Sequence, residues 1–231
     1  MADALIRVIL GLDHARQGIF GTSAAYYGTV EEQGRKTLHL HLLLWIEGSP
    51  SPQNMRDRLL SDPTFESELL TWLSSVHVGD FFTHEEDKLQ TMWEQPGVDS
   101  VVNGRVKRGK PVLLIPDAAS VLPPRPPPPG VEQEVLKQWH EDFLLDVDKV
   151  VFCSNRHDRD HRFGCLRGHP EYCRARFPRE RQENTVVDRN SGAVRFKKRD
   201  VWINTFNPLL SHLLRCNTDV TCLLSGTQVK A

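Results

Sequence analysis

The sequence lacks features that would place it in several large classes of protein. Its 231 residues include no apolar run of the ~18–20 residues that a membrane-spanning helix needs, and the opening Met-Ala-Asp-Ala-Leu-Ile-Arg is not typical of a secretory signal. There is no Gly-x-x-x-x-Gly-Lys-Ser/Thr loop, so neither ATP hydrolysis nor helicase activity is expected. Five cysteines, an odd number, favour thiols or metal ligands over a disulfide framework. An intracellular protein is predicted.

The chain as a whole also lacks a net charge of either sign, because its positive and negative residues nearly balance. The formal net charge is −1, and 39% hydrophobic and 26% charged residues are ordinary for a soluble globular protein. The distribution is uneven, because residues 156–199 hold 13 Lys and Arg against 6 Asp and Glu. This stretch either contacts phosphate groups or is an ordinary solvated face.

Two histidines stand out in the apolar run from Thr37 to Trp45. His39 and His41 are two positions apart, so on a β-strand both imidazoles point to the same face. Residues 26–33 are strand-like and Gly34-Arg-Lys36 is a polar turn, which together predict a β-hairpin.

The register of this hairpin follows from its turn. If the turn has three residues, Glu31 lies opposite His39 and Thr29 opposite His41, and Gln33 shares the face of Glu31. Two imidazoles with a carboxylate or amide suit a divalent ion that polarises a phosphodiester. The alternative is that both histidines form the polar face of an amphipathic strand or are satisfied core residues.

The remaining chain divides into three parts by pattern. Residues 1–82 comprise the hairpin and covering helices, with helical spacing in 53–60 and again from Asp62-Pro63 onward. Residues 83–130 lose periodicity and end in a proline-rich run, which predicts an irregular insert. Residues 131–231 begin with a helical pattern over 132–151 and continue into a Cys/His-rich lobe.

Potential zinc ligands are dense between residues 153 and 173. Three cysteines and three histidines fall within about twenty residues, although no Cys-x-x-Cys pair is present. The favoured zinc set is Cys153, His157, Cys165 and Cys173. The alternative is a basic loop whose cysteines pack as small apolar side chains.

Four segments of the sequence resemble one known family. They are Tyr26-Tyr-Gly-Thr-Val-Glu-Glu-Gln-Gly-Arg-Lys-Thr-Leu-His-Leu-His-Leu-Leu-Leu-Trp45, Ser154-Asn-Arg-His157, Cys173-Arg-Ala-Arg-Phe-Pro-Arg179 and Trp202-Ile-Asn-Thr-Phe-Asn-Pro-Leu-Leu-Ser-His-Leu-Leu-Arg-Cys-Asn-Thr-Asp219. They are similar to the replication-initiator domain of Helitron rolling-circle transposons, also called the Helitron helicase-like domain, in its fungal form. The resemblance covers most of the chain and is weakest in the middle insert.

The resemblance implies a fold and a metal. The fold would be α+β and like the His-hydrophobic-His endonucleases, with a central antiparallel sheet, flanking helices and a Cys/His-rich basic lobe. His39 and His41 would bind Mg²⁺ or Mn²⁺ with Glu31 or Gln33 as third ligand. In the family, a tyrosine on a later helix attacks a DNA phosphate and leaves a 5′-phosphotyrosine link.

The sequence departs from the family where the nucleophile is expected. Family members continue into a helix with paired tyrosines, whereas this chain ends at Ala231 and its three tyrosines are Tyr26, Tyr27 and Tyr172. None of them matches the nucleophile position, so no catalytic residue is assigned.

The expected function is therefore that of a truncated Helitron-type initiator, nuclear if functional, which binds divalent metal and single-stranded DNA without nicking. The residues expected to contact DNA are Arg174, Arg176, Arg179, Lys197 and Lys198. The alternatives are a zinc-stabilised nucleic-acid-binding module and a non-functional transposon remnant.

Overall fold

The computed structural model describes residues 2–12, 17–33, 37–102, 105–107, 109–161, 164–169 and 171–222. By internal contacts the chain divides into two compact units, Met1–Met55 and Arg56–Ala231. Helices and small antiparallel sheets occur together, so the predicted α+β class is confirmed. Among the described residues, no helix is both long and apolar enough to cross a membrane.

The first unit is built on the predicted hairpin. Helix α1 (Ala2–Ala4) continues into a π-helix (Leu5–Ile9), and strands β1 (Ser23–Gln33) and β2 (Thr37–Ile46) then pair in antiparallel fashion. Glu31 lies opposite His39 and Thr29 opposite His41, which confirms the register. The turn expected at Gly34–Lys36 and the side chain of Gln33 lie outside the described residues.

The second unit contains the longer helices of the described chain. Asp62 caps α3 (Pro63–Val76) by accepting a hydrogen bond from the Phe65 amide at 3.1 Å, and Asn207 caps α6 (Pro208–Leu214) by accepting one from the Leu210 amide at 2.9 Å. A proline follows each cap at the first helical position, where its missing N–H costs nothing. The helices from residue 52 onward are α2 (Pro52–Ser61), α3 (Pro63–Val76), α4 (Glu86–Trp93), the 3₁₀ helix Ala118–Ser120, α5 (Gln133–Ser154) and α6 (Pro208–Leu214).

The core of this unit joins α4, α5 and the segment before α6. Trp93 of α4 meets Phe152 of α5 edge to face, with ring centroids 5.2 Å apart. The buried side chains of this core are Phe81, Leu89, Trp93, Val147, Val151, Phe152, Ile203 and Phe206.

The interval 83–130 is more ordered than expected. It contains α4, whose Leu89 and Trp93 are buried in the core, and strands β3 (Glu94–Gln95), β4 (Ser100–Val102), β5 (Arg105–Lys107) and β6 (Val112–Leu113). An eight-residue helix with few apolar positions gives little periodic signal, which explains why α4 was not expected within this interval.

The prediction of one central antiparallel sheet was wrong for the described residues. The described residues form four separate two-stranded sheets, β1-β2, β3-β6, β4-β5 and β7-β8, the last from Val186–Val187 and Val194–Arg195. The strands outside the first hairpin have two or three residues each, because turn-forming residues interrupt them.

A buried carboxylate on α5 provides a test of this core. Asp148 accepts hydrogen bonds from the amides of Phe82 and Thr83 and from the Thr83 hydroxyl, at 2.9, 2.8 and 2.7 Å. Burial raises the pKa of Asp148, although these donors oppose the shift. The side chain thereby fixes the segment before α4 onto α5.

We expect Asp148→Ala to lower the free energy of unfolding by about 3 kcal/mol, because it leaves buried donors without an acceptor. Urea denaturation measures the loss. Asp142→Ala, an exposed aspartate on the same helix, is the control and should change stability by less than about 0.5 kcal/mol. Equal losses for the two variants would show that the Asp148 hydrogen bonds are not stabilising.

Candidate metal centre

Four side chains of the Cys/His-rich lobe converge after the end of α5. The ligand atoms of His157, His161, Cys165 and Cys173 all lie within 4.8 Å of one another. Within the described residues this is the one group of three or more His, Cys, Asp or Glu donors that can hold a metal ion.

The distances in this cluster suit a tetrahedral site. His157 Nε2 lies 3.2 Å from His161 Nδ1 and 3.4 Å from Cys173 Sγ, and His161 Nδ1 lies 3.1 Å from Cys165 Sγ. A zinc ion with bonds of about 2.0 Å to nitrogen and about 2.3 Å to sulfur needs donor separations of about 3.3–3.8 Å. Two imidazoles and two thiols are a donor set that zinc prefers.

Buried ion pairs position the start of the cluster. Arg156 pairs with Glu94 and, at 3.6 Å, with Glu86, while Arg159 pairs with Glu86 and, at 2.8 Å, with Asp87. Glu86 and Glu94 are only 4% and 7% exposed, so their pairs form largely away from water, whereas Asp87 is 80% exposed. They attach the segment that carries His157 to helix α4.

Two aromatic side chains orient the imidazole of His157. The ring of His157 stacks on Phe177 at 4.4 Å with an interplanar angle of 6°, and Trp202 lies parallel at 6.4 Å. The His157 amide also donates to the Trp202 carbonyl at 2.7 Å. The ring is thereby held with Nε2 toward the other three donors.

The backbone of the loop is bent to complete the cluster. His161 has φ 53°, a left-handed conformation that costs a non-glycine residue about 1–2 kcal/mol. Gly164, with φ 83°, supplies the next left-handed turn without that cost. Such strain is typical of functional sites.

Protonation also favours metal binding. Burial and the neighbouring His161 lower the pKa of His157, which keeps the imidazole in its neutral, ligating form. Burial works against ionisation of Cys173, but the amides of Phe177, Ala175 and Arg176 and the Cys165 side chain together lower its pKa. Burial and the Cys173 side chain raise the pKa of Cys165.

Of the predicted zinc set, the structure brings together His157, Cys165 and Cys173 and leaves Cys153 apart. Cys153 lies on the last turn of α5, where the Ala118 amide donates to its thiol, and it is outside the cluster. His161 takes the fourth place. The recurring gap of four residues from 157 to 165 was visible in the sequence, but it did not separate His161 from Cys153.

The hairpin histidines form a looser arrangement. His41 Nε2 lies 2.8 Å from Glu31 Oε1, and both side chains are more than half exposed. His39 faces Glu31 across the strands. Tyr26 and Tyr27 lie on β1, and Tyr172 lies in the loop between Cys165 and Cys173.

The five predicted DNA contacts differ in their surroundings. Arg174 and Arg176 are exposed, and Arg176 has φ 59°. Arg179 donates to Asn204 at 2.8 Å, and Lys197 pairs with Asp80 at 3.3 Å. Burial lowers the pKa of Lys198 to about 8, so this amine is poorly suited to contact DNA.

Comparison of the chain with protein-family models, curated proteins and solved structures gave no match.

We expect the purified chain to contain about one zinc ion and to lose it in the single variants Cys173→Ser and His161→Ala, since each removes one of four ligands. Elemental analysis with protein quantification measures the ratio. Cys153→Ser and His169→Ala are controls that should retain zinc. Loss of zinc in Cys153→Ser with retention in His161→Ala would restore the sequence-based set.

Proposed function

We propose that this chain is a zinc-stabilised domain that binds single-stranded DNA and is related to Helitron replication initiators. The observation that carries the proposal is the convergence of His157, His161, Cys165 and Cys173 directly beside exposed arginines. A polar loop with few buried side chains gains most of its order from such a metal.

The arginines next to the cluster are those best placed for phosphate. Arg174 and Arg176 follow the ligand Cys173 and are exposed, and neither forms an ion pair with another described residue. Lys197 and Arg199, by contrast, both pair with Asp80. Among the predicted DNA contacts, the exposed arginines without a described ion pair therefore lie within residues 164–176, the metal loop.

A second site on the hairpin supports the Helitron part of the proposal. Glu31, His39 and His41 lie on one face of β1-β2, with Glu31 directly opposite His39. Side chains directly opposite in an antiparallel pair have Cβ atoms about 4.5–5.5 Å apart, within reach of one ion. We propose that this face binds Mg²⁺ or Mn²⁺, with Glu31 or Gln33 as third ligand, and polarises a DNA phosphate.

We expect the zinc-loaded chain to bind labelled single-stranded oligonucleotides with an affinity that falls as salt rises. Each lost phosphate contact should reduce the slope of log K against log salt by about 0.7, so Arg174→Ala/Arg176→Ala should reduce it by about 1.4. Fluorescence anisotropy measures this slope.

Arg181→Ala is the matched control, because Arg181 lies in the same basic stretch but pairs with Glu183 at 2.6 Å. Its slope should be close to that of the original chain. An unchanged slope in the double arginine variant, or unchanged binding after zinc is removed by a chelator, would contradict the proposed role of the metal loop.

For the hairpin, we expect the zinc-loaded chain to bind about one Mn²⁺, detected as loss of the free Mn²⁺ signal in electron paramagnetic resonance. His39→Ala/His41→Ala should weaken this binding at least about tenfold while zinc is retained, since it removes two of three ligands. His140→Ala, an exposed histidine on α5, is the control. Equal Mn²⁺ binding in all three proteins would exclude the hairpin site.

A further inference from the structure

The loop between the two cysteine ligands presents an exposed aromatic pair. The rings of His169 and Tyr172 lie 4.7 Å apart with an interplanar angle of 30°. Tyr172 is 51% exposed and the His169 side chain 48% exposed. Neither ring belongs to the metal cluster or to the core, so packing does not account for the pair.

The charge around this pair is positive. Residues 164–176, which we call the metal loop, contain the exposed side chains of Arg167, Arg174 and Arg176. Glu171 is the only acidic residue of the metal loop, and its Oε1 lies 3.9 Å from His169 Nδ1. The metal loop thus combines two exposed rings with a formal excess of two positive charges when His169 is neutral.

The position of the rings depends on the metal ligands. The Arg174 amide donates to the Cys165 carbonyl at 3.0 Å, which closes the metal loop at its two cysteines. The His169 amide donates to Leu166 at 2.9 Å, and Gly168 with φ 80° completes this turn. An ion bound by Cys165 and Cys173 would hold the two ends of the metal loop in place and thereby set the direction of the rings.

We infer that the His169–Tyr172 pair is a stacking platform for one unpaired base of single-stranded DNA, with the flanking arginines on the adjacent phosphates. This inference deepens the proposed function and rests on it. Bases in a duplex stack on one another, whereas an unpaired base exposes its π-face to aromatic side chains. Stacking does not depend on base identity, so the platform favours single strands without selecting a sequence.

The test uses the zinc-loaded full chain and oligonucleotides that carry 2-aminopurine, whose fluorescence falls when it stacks. We expect quenching on binding and affinity about tenfold weaker for Tyr172→Ala, with zinc retained. The salt slope should stay unchanged, because no phosphate contact is lost. Tyr172→Phe should bind normally, since it keeps the ring.

Tyr26→Ala is the matched control, because Tyr26 is 48% exposed but lies on β1, on the hairpin face opposite the two histidines. It should bind as tightly as the original chain. A second measurement needs no protein variant: an oligonucleotide in which abasic sites replace the bases should bind about tenfold more weakly.

Two kinds of failure can be told apart. Unchanged affinity in Tyr172→Ala, or equal affinity for the abasic oligonucleotide, would overturn the platform while leaving single-stranded DNA binding in place. Tighter binding to duplex than to single strands would also overturn it. No binding of any oligonucleotide by the zinc-loaded original chain would overturn the proposed function itself.

Discussion

The buried ion pairs between α4 and the segment after α5 are the constraint on which the metal centre depends. Glu86 and Glu94 are 4% and 7% exposed, and Arg156 is their shared partner. A carboxylate removed from water is tolerated only when it is paired, so these residues fix where the chain goes as it leaves α5. His157 follows Arg156 directly, and the hydrogen bond from its amide to the Trp202 carbonyl completes the attachment. Contacts within the unit therefore place the first candidate ligand.

From His157 to Arg176, the burial of apolar side chains contributes little to the stability of the fold. Between residues 157 and 176 the one buried side chain among those described is Cys173, itself a ligand. A segment with so little apolar surface to bury cannot offset the entropy of ordering, and a metal ion is the usual substitute for a core in such loops. The same composition leaves arginines and aromatic rings at the surface. A metal ion in the cluster would thus replace packing in the same stretch that carries the proposed DNA contacts.

Sequence patterns predicted the elements whose determinants are local. The alternation of apolar and polar residues and the three residues between the two strands predicted the register that places Glu31 opposite His39. Asp62-Pro63 likewise predicted the start of α3. The fourth metal ligand was not predictable in this way. Cys153 is excluded because α5 continues to Ser154, and His161 is included through a left-handed backbone, which is uncommon at any residue other than glycine. Helix α4 was missed because Leu89 and Trp93 are too few positions to reveal a period.

The two candidate metal sites differ in donor chemistry, and this difference decides which ion each can hold. The site at residues 157–173 offers two sulfurs, which bind zinc strongly and Mg²⁺ hardly at all. The hairpin offers imidazole and carboxylate on an exposed face with room for water, which suits Mn²⁺ or Mg²⁺ and leaves positions open for a phosphate oxygen. On this chemistry, zinc at limiting concentration would bind at the cysteine site before the hairpin site. With the proposed ions bound, the cysteine site would hold a structural ion, whereas the exposed hairpin site would exchange its ion with solvent.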